Sequence, residues 1–245
     1  MQVSSWVARS PDLPMTRESR DQSPGPGEVI VRVAGCGVCH TDLGFFYDGV
    51  PTRRPFPLTL GHEISGTVVE AGPGAESWLG RAVVVPAVMP CGECAACRAG
   101  RGQVCPKQIF PGSDVHGGFA THVCLPARGL CPVPDLSDRA VNPGGVALPD
   151  LSVVADAIST PYQAIVRSGL GASDLAIFVG AGGVGGFGIQ LAAAMGATVV
   201  ALDVNPGRLA QMAGHGAALT IDPSCLELKE LRRQVKAFAD SHGIP

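Results

Sequence analysis

The chain has 245 residues, 46% of them hydrophobic and 16% charged, with a net charge of −3. That length allows two domains with cores of their own, and the composition excludes a disordered chain. The slight negative charge gives no global attraction for nucleic acid or anionic lipid, and no apolar run nears the roughly 18 residues a membrane helix needs. The opening MQVSSWVARSPDLPM has no basic stretch followed by an apolar one and a cleavage-like site, so a cytoplasmic protein is expected, and its nine cysteines suit metal ligation better than a disulfide framework.

In chain order, EVIVRV (28–33), ISGTVVE (64–70) and AVVVP (82–86) are short β-branched runs, each stopped by Gly or Pro. They predict a β-rich, loop-rich domain over residues 1–150. The segment 135–155, with Pro143, Gly144, Gly145 and Pro149, has turn residues and little periodicity and is expected to be a linker. Thr160 is the expected cap of a helix that Pro161 begins. From there the period changes: LAIFVG (175–180) is a buried strand, VGGFGIQLAAAM (184–195) a helix, TVVALD (198–203) a strand. Asn205 and Pro206 open a second helix, ALTI (218–221) is a third strand and 226–243 an amphipathic third helix. Three strand–helix units over 151–245 imply a parallel sheet, the opening half of a doubly wound nucleotide-binding domain, and the chain is expected to be a truncation or fragment of a longer one.

Cys91, Cys94, Cys97 and Cys105 form a C-x2-C-x2-C-x7-C run within one loop. Such spacing lets an irregular loop fold four thiolates around a structural zinc; an iron–sulfur cluster, disulfides and unrelated core cysteines are the alternatives. Cys36, Cys124, Cys131 and Cys225 are expected to be ordinary buried thiols. GAGGVG spans Gly180 to Gly185, with Gly182, Gly183 and Val184 between, after a predicted strand and at the start of a predicted helix. Asp203 follows about twenty residues on, at the end of the next strand. This is the context of a dinucleotide fingerprint: Gly180 for the turn, Gly182 for approach to the pyrophosphate, Gly185 for close helix packing. Asp203 accepts from the adenosine ribose and repels a 2′-phosphate, favouring NAD over NADP; Arg208 is either a modulator of that preference or a solvated surface arginine. GCGVCHTD and GHE offer Cys39 and His62 as ligands of a second, catalytic zinc, although each residue alone is more often a core or surface side chain.

GCGVCHTD, LGHEISGTVVEAG, the four-cysteine loop and GAGGVG followed by Asp203, in that order, resemble the zinc-dependent alcohol dehydrogenases of the medium-chain dehydrogenase/reductase superfamily. The resemblance implies a GroES-like catalytic domain followed by a Rossmann domain cut short, with two zinc ions per chain and NAD. It places Cys39 and His62 among the catalytic zinc ligands, Glu63 behind the metal, Thr41 as the first proton relay, His40 near the cofactor pyrophosphate and Cys91, Cys94, Cys97 and Cys105 in the structural zinc lobe. The stretch DAISTPYQA puts Asp156 where many members carry a cysteine ligand; a solvated loop residue is the other reading. Gly44 stands where several members keep a relaying histidine.

The implied activity is hydride transfer from an alcohol to NAD. The wording of HTDLGFFYDGV and PLTLGHEISG is most similar to the 6-hydroxycyclohex-1-ene-1-carbonyl-CoA dehydrogenases of anaerobic aromatic-compound degradation, which implies an alicyclic hydroxyacyl-CoA substrate. Arg53 and Arg54 would then meet CoA phosphates, or be a solvated pair. A generic zinc alcohol or polyol dehydrogenase, and a non-catalytic nucleotide-binding relative such as the lens proteins of the superfamily, are the alternatives. A zinc-ribbon nucleic-acid binder lacks a basic patch. A homo-oligomer, dimer or tetramer, is expected of the full-length protein, with no nucleic-acid or membrane partner.

Overall fold

The structure, a computed structural model, describes residues 1–244. The chain divides into two compact units, Met1–Asp156 and Ala157–Pro245, with the break six residues beyond the expected 150/151 boundary.

The first unit opens with an antiparallel hairpin, Gln2–Val7 (β1) and Thr16–Asp21 (β2), which the sequence reading missed. Its signal is a period of two: Val3, Ser5 and Val7 are buried while the intervening residues are not. Glu28–Gly37 (β3) leads into a short helix, His40–Phe46 (α1). Glu63–Ala71 (β4) and Ala82–Val85 (β5) follow, a four-residue turn of helix, Ala95–Arg98 (α2), lies in the cysteine loop, and His122–Pro126 (β6) and Cys131–Pro132 (β7) complete the unit. The five later strands form one antiparallel sheet in the order β6-β3-β4-β5-β7. Its β-branched side chains Val29, Val31, Ile64, Val68, Val83, Val85 and Val123 make the core, because branched residues pack well on a pleated, half-covered surface.

The expected linker is a correction. Within 135–155, Leu148–Ala155 coils into a 3-10 segment that lies against β3, β4 and β5, and the Ser65 hydroxyl donates to the Leu148 carbonyl at 2.7 Å. Its prolines and glycines marked turns, but the backbone from Leu148 onward packs on the sheet, so closely that a Cβ on Gly35 would stand 2.4 Å from the Pro149 carbonyl oxygen.

The second unit contains Ser159–Ser168 (α3), Leu175–Val179 (β8), Gly183–Ala194 (α4), Thr198–Leu202 (β9), Pro206–Gly214 (α5), Leu219–Ile221 (β10) and Leu228–Ser241 (α6). The three strands are parallel in the order β10-β9-β8. β9 shows why: Val199 and Ala201 pack with Ile165, Ile189, Leu209 and Met212 of the first three helices, while Val200 and Leu202 pack with Leu231, Val235 and Phe238 of α6. Alternate residues face opposite sides, so a strand covered by helices on both faces must be apolar throughout. Asn205 caps α5 as expected, its side chain accepting from Arg208 N–H at 3.1 Å. Thr160 does not cap α3: it lies inside the first turn, and the capping position is Ile158, already helical, because the chain enters the helix from a preceding turn without an extended residue.

Candidate functional site

The first cluster grows from the end of β3. Cys39 sits in extended conformation at the start of α1, and the Asp42 carboxylate reaches back to accept its backbone N–H at 3.0 Å. The other Asp42 oxygen accepts from Gly61 N–H at 3.0 Å and stands 3.5 Å from His62 Nδ1. Asp42 is 2% exposed and joins the two motifs that carry Cys39 and His62; the sequence reading passed over it, although its position three residues after a helix-capping Cys39 was a signal. Gly61 adopts φ +95°, and a Cβ there would stand 2.7 Å from the Phe119 ring, so only glycine fits the turn.

His62 is 1% exposed, yet neither ring nitrogen has a hydrogen-bond partner of good geometry. Nε2 lies 3.4 Å from Asp156 Oδ2. A buried imidazole with poorly matched polar neighbours leaves a place for a cation. Potential ligand atoms of Cys39, His62, Glu63 and Asp156 all lie within 4.8 Å of one another. Thiolate, imidazole and carboxylate are all zinc ligands, and three of them with a fourth position open is the composition of a catalytic site. Burial disfavours the charged ring, but the carboxylates of Asp156 and Asp42 and the Cys39 sulfur outweigh it and push His62 up to about 10, the response of a cation-attracting site. Phe110 covers the ring, its centroid 4.8 Å away. The exposed Thr41 places its hydroxyl 3.6 Å from Cys39 Sγ, and His40 is exposed in the first turn of α1.

The cysteine loop forms the second cluster. The Cys91–Cys97, Cys94–Cys97, Cys94–Cys105 and Cys91–Cys105 sulfur separations are 3.9, 3.5, 3.8 and 3.5 Å. A tetrahedron of thiolates about 2.3 Å from one zinc has edges of about 3.8 Å. The four cysteines are free, with no pair of sulfurs at bonding distance, which goes against the disulfide alternative, and sulfurs this close suit one ion rather than a multi-iron cluster. A backbone N–H near Glu93 heads the causes that hold the Cys91 thiol down at about 6, favouring the thiolate. Of the other cysteines, Cys36 and Cys124 are partly covered and burial pushes both up to about 12. Cys131 and Cys225 are exposed, against the expectation of buried thiols: Cys131 is on a two-residue edge strand and Cys225 in the turn before α6.

In the second unit, Gly180 turns at φ +97° and a Cβ on Gly185 would stand 1.9 Å from the Gly180 carbonyl oxygen. The helix can approach the turn only because Gly185 has no side chain. At Gly182 and Gly183 a Cβ would meet nothing nearer than Arg208 Nη1, at 3.9 Å from the former. Open backbone at the start of α4 suits a pyrophosphate. Val184 is exposed beside it. Asp203 is 8% exposed, accepting from Ala181 N–H at 2.7 Å and Asn205 N–H at 2.8 Å, with Arg208 Nη1 at 3.8 Å. The Ala181 bond first, then that of Asn205, holds this acid below the usual carboxylate range. One N–H per oxygen leaves acceptor capacity on each.

Residues 25–135 match the family described as alcohol dehydrogenase GroES-like domain, and residues 183–244 match the family described as zinc-binding dehydrogenase. An alcohol dehydrogenase of Geobacillus stearothermophilus is 35% identical over 219 residues, 89% of this chain and 60% of that protein. Among solved structures, a protein described as a short chain alcohol dehydrogenase from Escherichia coli CFT073, complexed with NADH, has a TM-score of 0.83 at 25% identity, over 96% of this chain and 66% of that one. The cobalt- and zinc-bound thermostable alcohol dehydrogenase of Pyrobaculum aerophilum has a TM-score of 0.80 at 26% identity, over 91% and 66%. The chain thus spans about 60% of the curated relative's length. Its two matched domains, a GroES-like unit followed by a nucleotide-binding parallel sheet, together with the two ligand clusters, place it in the zinc-dependent medium-chain alcohol dehydrogenase family.

Proposed function

We propose that the protein oxidises an alcohol to its carbonyl compound with NAD as acceptor, at a zinc site made by Cys39, His62 and Asp156. The observation that carries this reading is His62, buried with both nitrogens lacking a well-formed hydrogen bond, and facing a thiol and a carboxylate. Asp156 is the third ligand in this reading because its carboxylate faces Nε2 and its side chain is 27% exposed, so the fourth side of the cluster opens outward. Glu63, 3% exposed, stays behind the cluster and adds negative charge.

When bound, zinc supplies Lewis acidity toward the alcohol oxygen, and NAD supplies the two-electron acceptor. The protein's own side chains do the rest. Asp42 fixes the orientation of the imidazole and the cysteine backbone together. Thr41 takes the alcohol proton and passes it outward; with Gly44 in place of a histidine, its next stop is water or the cofactor ribose. Phe110 keeps water from the His62 ring. Cys91, Cys94, Cys97 and Cys105 hold a second, structural zinc. Gly180, Gly182, Gly183, Val184 and Gly185 receive the pyrophosphate, while Asp203 takes the ribose, with Arg208 at its edge.

For substrate, the coarse reading is a small alcohol or polyol. The finer reading, an alicyclic hydroxyacyl-CoA of aromatic-compound degradation, rests on the wording of the motifs. Arg53 weakens as a CoA contact, since it is 3.6 Å from Asp114. A cytoplasmic homo-oligomer completes the proposal; no helix among the described residues is long and apolar enough to cross a membrane.

The test is a pair of substitutions in the full-length protein, read by zinc content and alcohol-dependent NADH formation. Asp156→Ala should lose one zinc and activity together, and Asp156→Cys should retain the metal, because a thiolate fills the same corner. Two zincs and native turnover in Asp156→Ala would overturn the ligand assignment.

A further inference from the structure

A basic recess in the first unit lies outside both metal clusters and belongs to no step described above. In the β1–β2 hairpin, Val3 pairs with Arg20, Ser5 with Glu18 and Val7 with Thr16. Directly paired residues share a face, and Val3, Ser5 and Val7 are 0%, 2% and 3% exposed. An arginine and a glutamate therefore sit on the inward face of the hairpin. They meet Arg54 and His116 around a recess of about 190 Å³, whose lining includes Ser5 and Glu18.

The charges in this recess do not balance. Glu18 is already occupied: its Oε1 accepts from Arg9 at 2.7 Å and from the Thr16 hydroxyl at 2.9 Å. Among the described residues neither Arg20 nor Arg54 has a carboxylate within 4.0 Å. The one side-chain bond of Arg20 is a long one, 3.5 Å to the Ser5 hydroxyl. His116 accepts the Thr59 backbone N–H on Nδ1 at 3.1 Å, so its neutral ring carries its proton on Nε2, the side away from Thr59. Two guanidiniums and an imidazole N–H thus converge with one acid between them, and that acid is matched elsewhere. Burial, followed by Arg54, lowers Arg20; burial, followed by Arg20 and Arg54, brings His116 down to about 4. A half-covered guanidinium such as that of Arg20, facing a second guanidinium and without a counter-ion, is costly, and the missing component is an anion.

We propose that this recess binds a phosphoryl oxyanion, with Arg20, Arg54 and His116 Nε2–H as its donors. Two forked guanidiniums and a third N–H offer more donors than the two oxygens of a carboxylate can use, whereas the terminal oxygens of a phosphate can accept from all three. The inference stands whether or not the dehydrogenase reading holds. The phosphoryl group is either free phosphate or the end of a larger molecule.

The experiment titrates the protein with inorganic phosphate at constant ionic strength, with potassium chloride as the balancing salt. Calorimetry and the His116 side-chain NMR signals give the readout, and coenzyme A and dephospho-coenzyme A are run in parallel. Arg54 is exposed on a loop, so Arg54→Gln should fold; it should weaken phosphate binding by about tenfold or more, the loss of a charge-assisted contact. Arg53→Gln, next to it but facing Asp114, is the control and should change binding by less than about twofold. Arg54-dependent binding of coenzyme A, tighter than that of inorganic phosphate and lost with dephospho-coenzyme A, assigns the phosphoryl group to a larger ligand. Comparable affinities assign it to free phosphate. A response to phosphate no larger than that to chloride, or equal losses in Arg53→Gln and Arg54→Gln, would overturn the proposal.

Discussion

Asp42→Asn separates the positioning of a ligand from the stability of a helix. In the native chain one carboxylate oxygen accepts Cys39 N–H and the other accepts Gly61 N–H, both at 3.0 Å, and the second also faces His62 Nδ1 at 3.5 Å. An asparagine amide has one acceptor oxygen, so its NH2 must face one of these two donors. One buried N–H is orphaned, at a cost of about 1–3 kcal/mol, equivalent to a fall in melting temperature of roughly 2–12 °C for a unit of this size. His62 meanwhile loses the carboxylate that orients it, which should reduce zinc affinity at the Cys39–His62–Asp156 cluster by about 10–100-fold. Competition against a fluorescent chelator measures this directly, and the zinc of the cysteine lobe, remote in sequence from Asp42, is the internal standard. A melting temperature that falls while zinc affinity stays native would reduce Asp42 to a helix cap. If neither moves, the bridging role is wrong.

Four further outcomes are expected. Gly185→Ala puts a methyl 1.9 Å from the Gly180 oxygen and should destabilise the second unit by about 1–3 kcal/mol, while Gly183→Ala, with nothing within 4 Å, should be close to neutral in thermal denaturation. Cys91→Ser should remove one zinc per chain and leave the other, as counted by metal analysis, because the lobe needs four thiolates. Asp203→Ser should narrow the preference for NAD over NADP in direct binding measurements, by removing the charge that faces a 2′-phosphate; a native preference for NADP would refute the assignment. Finally, His116 stands near 4 in the fold against 6.5 when unfolded, chiefly through burial and then through Arg20 and Arg54. Its contribution to stability is complete above about pH 6.5 and is lost as pH falls toward 4, on the order of 1–2 kcal/mol after solvent screening; His116→Gln should flatten denaturation midpoints across that window.

What could be read from sequence was local or strongly periodic. The run TVVALD announced a strand, and β9 is one; the structure adds that it is covered on both faces, which leaves little room for a polar residue. The cysteine spacing announced a compact sulfur cluster, since residues three apart in one loop have no other place to go. Less was legible where one signal masked another. The prolines and glycines of 135–155 suggested a linker and hid a 3-10 segment that covers the sheet, and Thr160 matched a cap only as long as the helix was thought to begin after it. The hairpin β1–β2 was missed because TRESRD shows no apolar alternation, its register being imposed by the partner strand.

Asp42 and Arg54 mark a different limit. Asp42 is one of eight residues in GCGVCHTD, and its importance depends on Gly61 and His62, which lie 19 and 20 residues away in sequence and arrive beside it only when the chain before β4 passes α1. No spacing rule within the motif contains that information. Arg53 and Arg54 are adjacent and chemically identical, and a sequence offers no ground for giving them different roles. The fold does: Ser113 receives the Arg54 backbone N–H at 2.8 Å, Asp114 draws the Arg53 side chain, and the Arg54 side chain is left on the recess that Arg20 and His116 share. Two neighbouring charges thereby acquire opposite environments, one neutralised within the chain and one requiring an anion from outside it. For that reason the comparison of Arg53→Gln with Arg54→Gln is the sharper measurement. Any effect that both variants share belongs to the surface charge of the loop, and only the difference between them reports the recess.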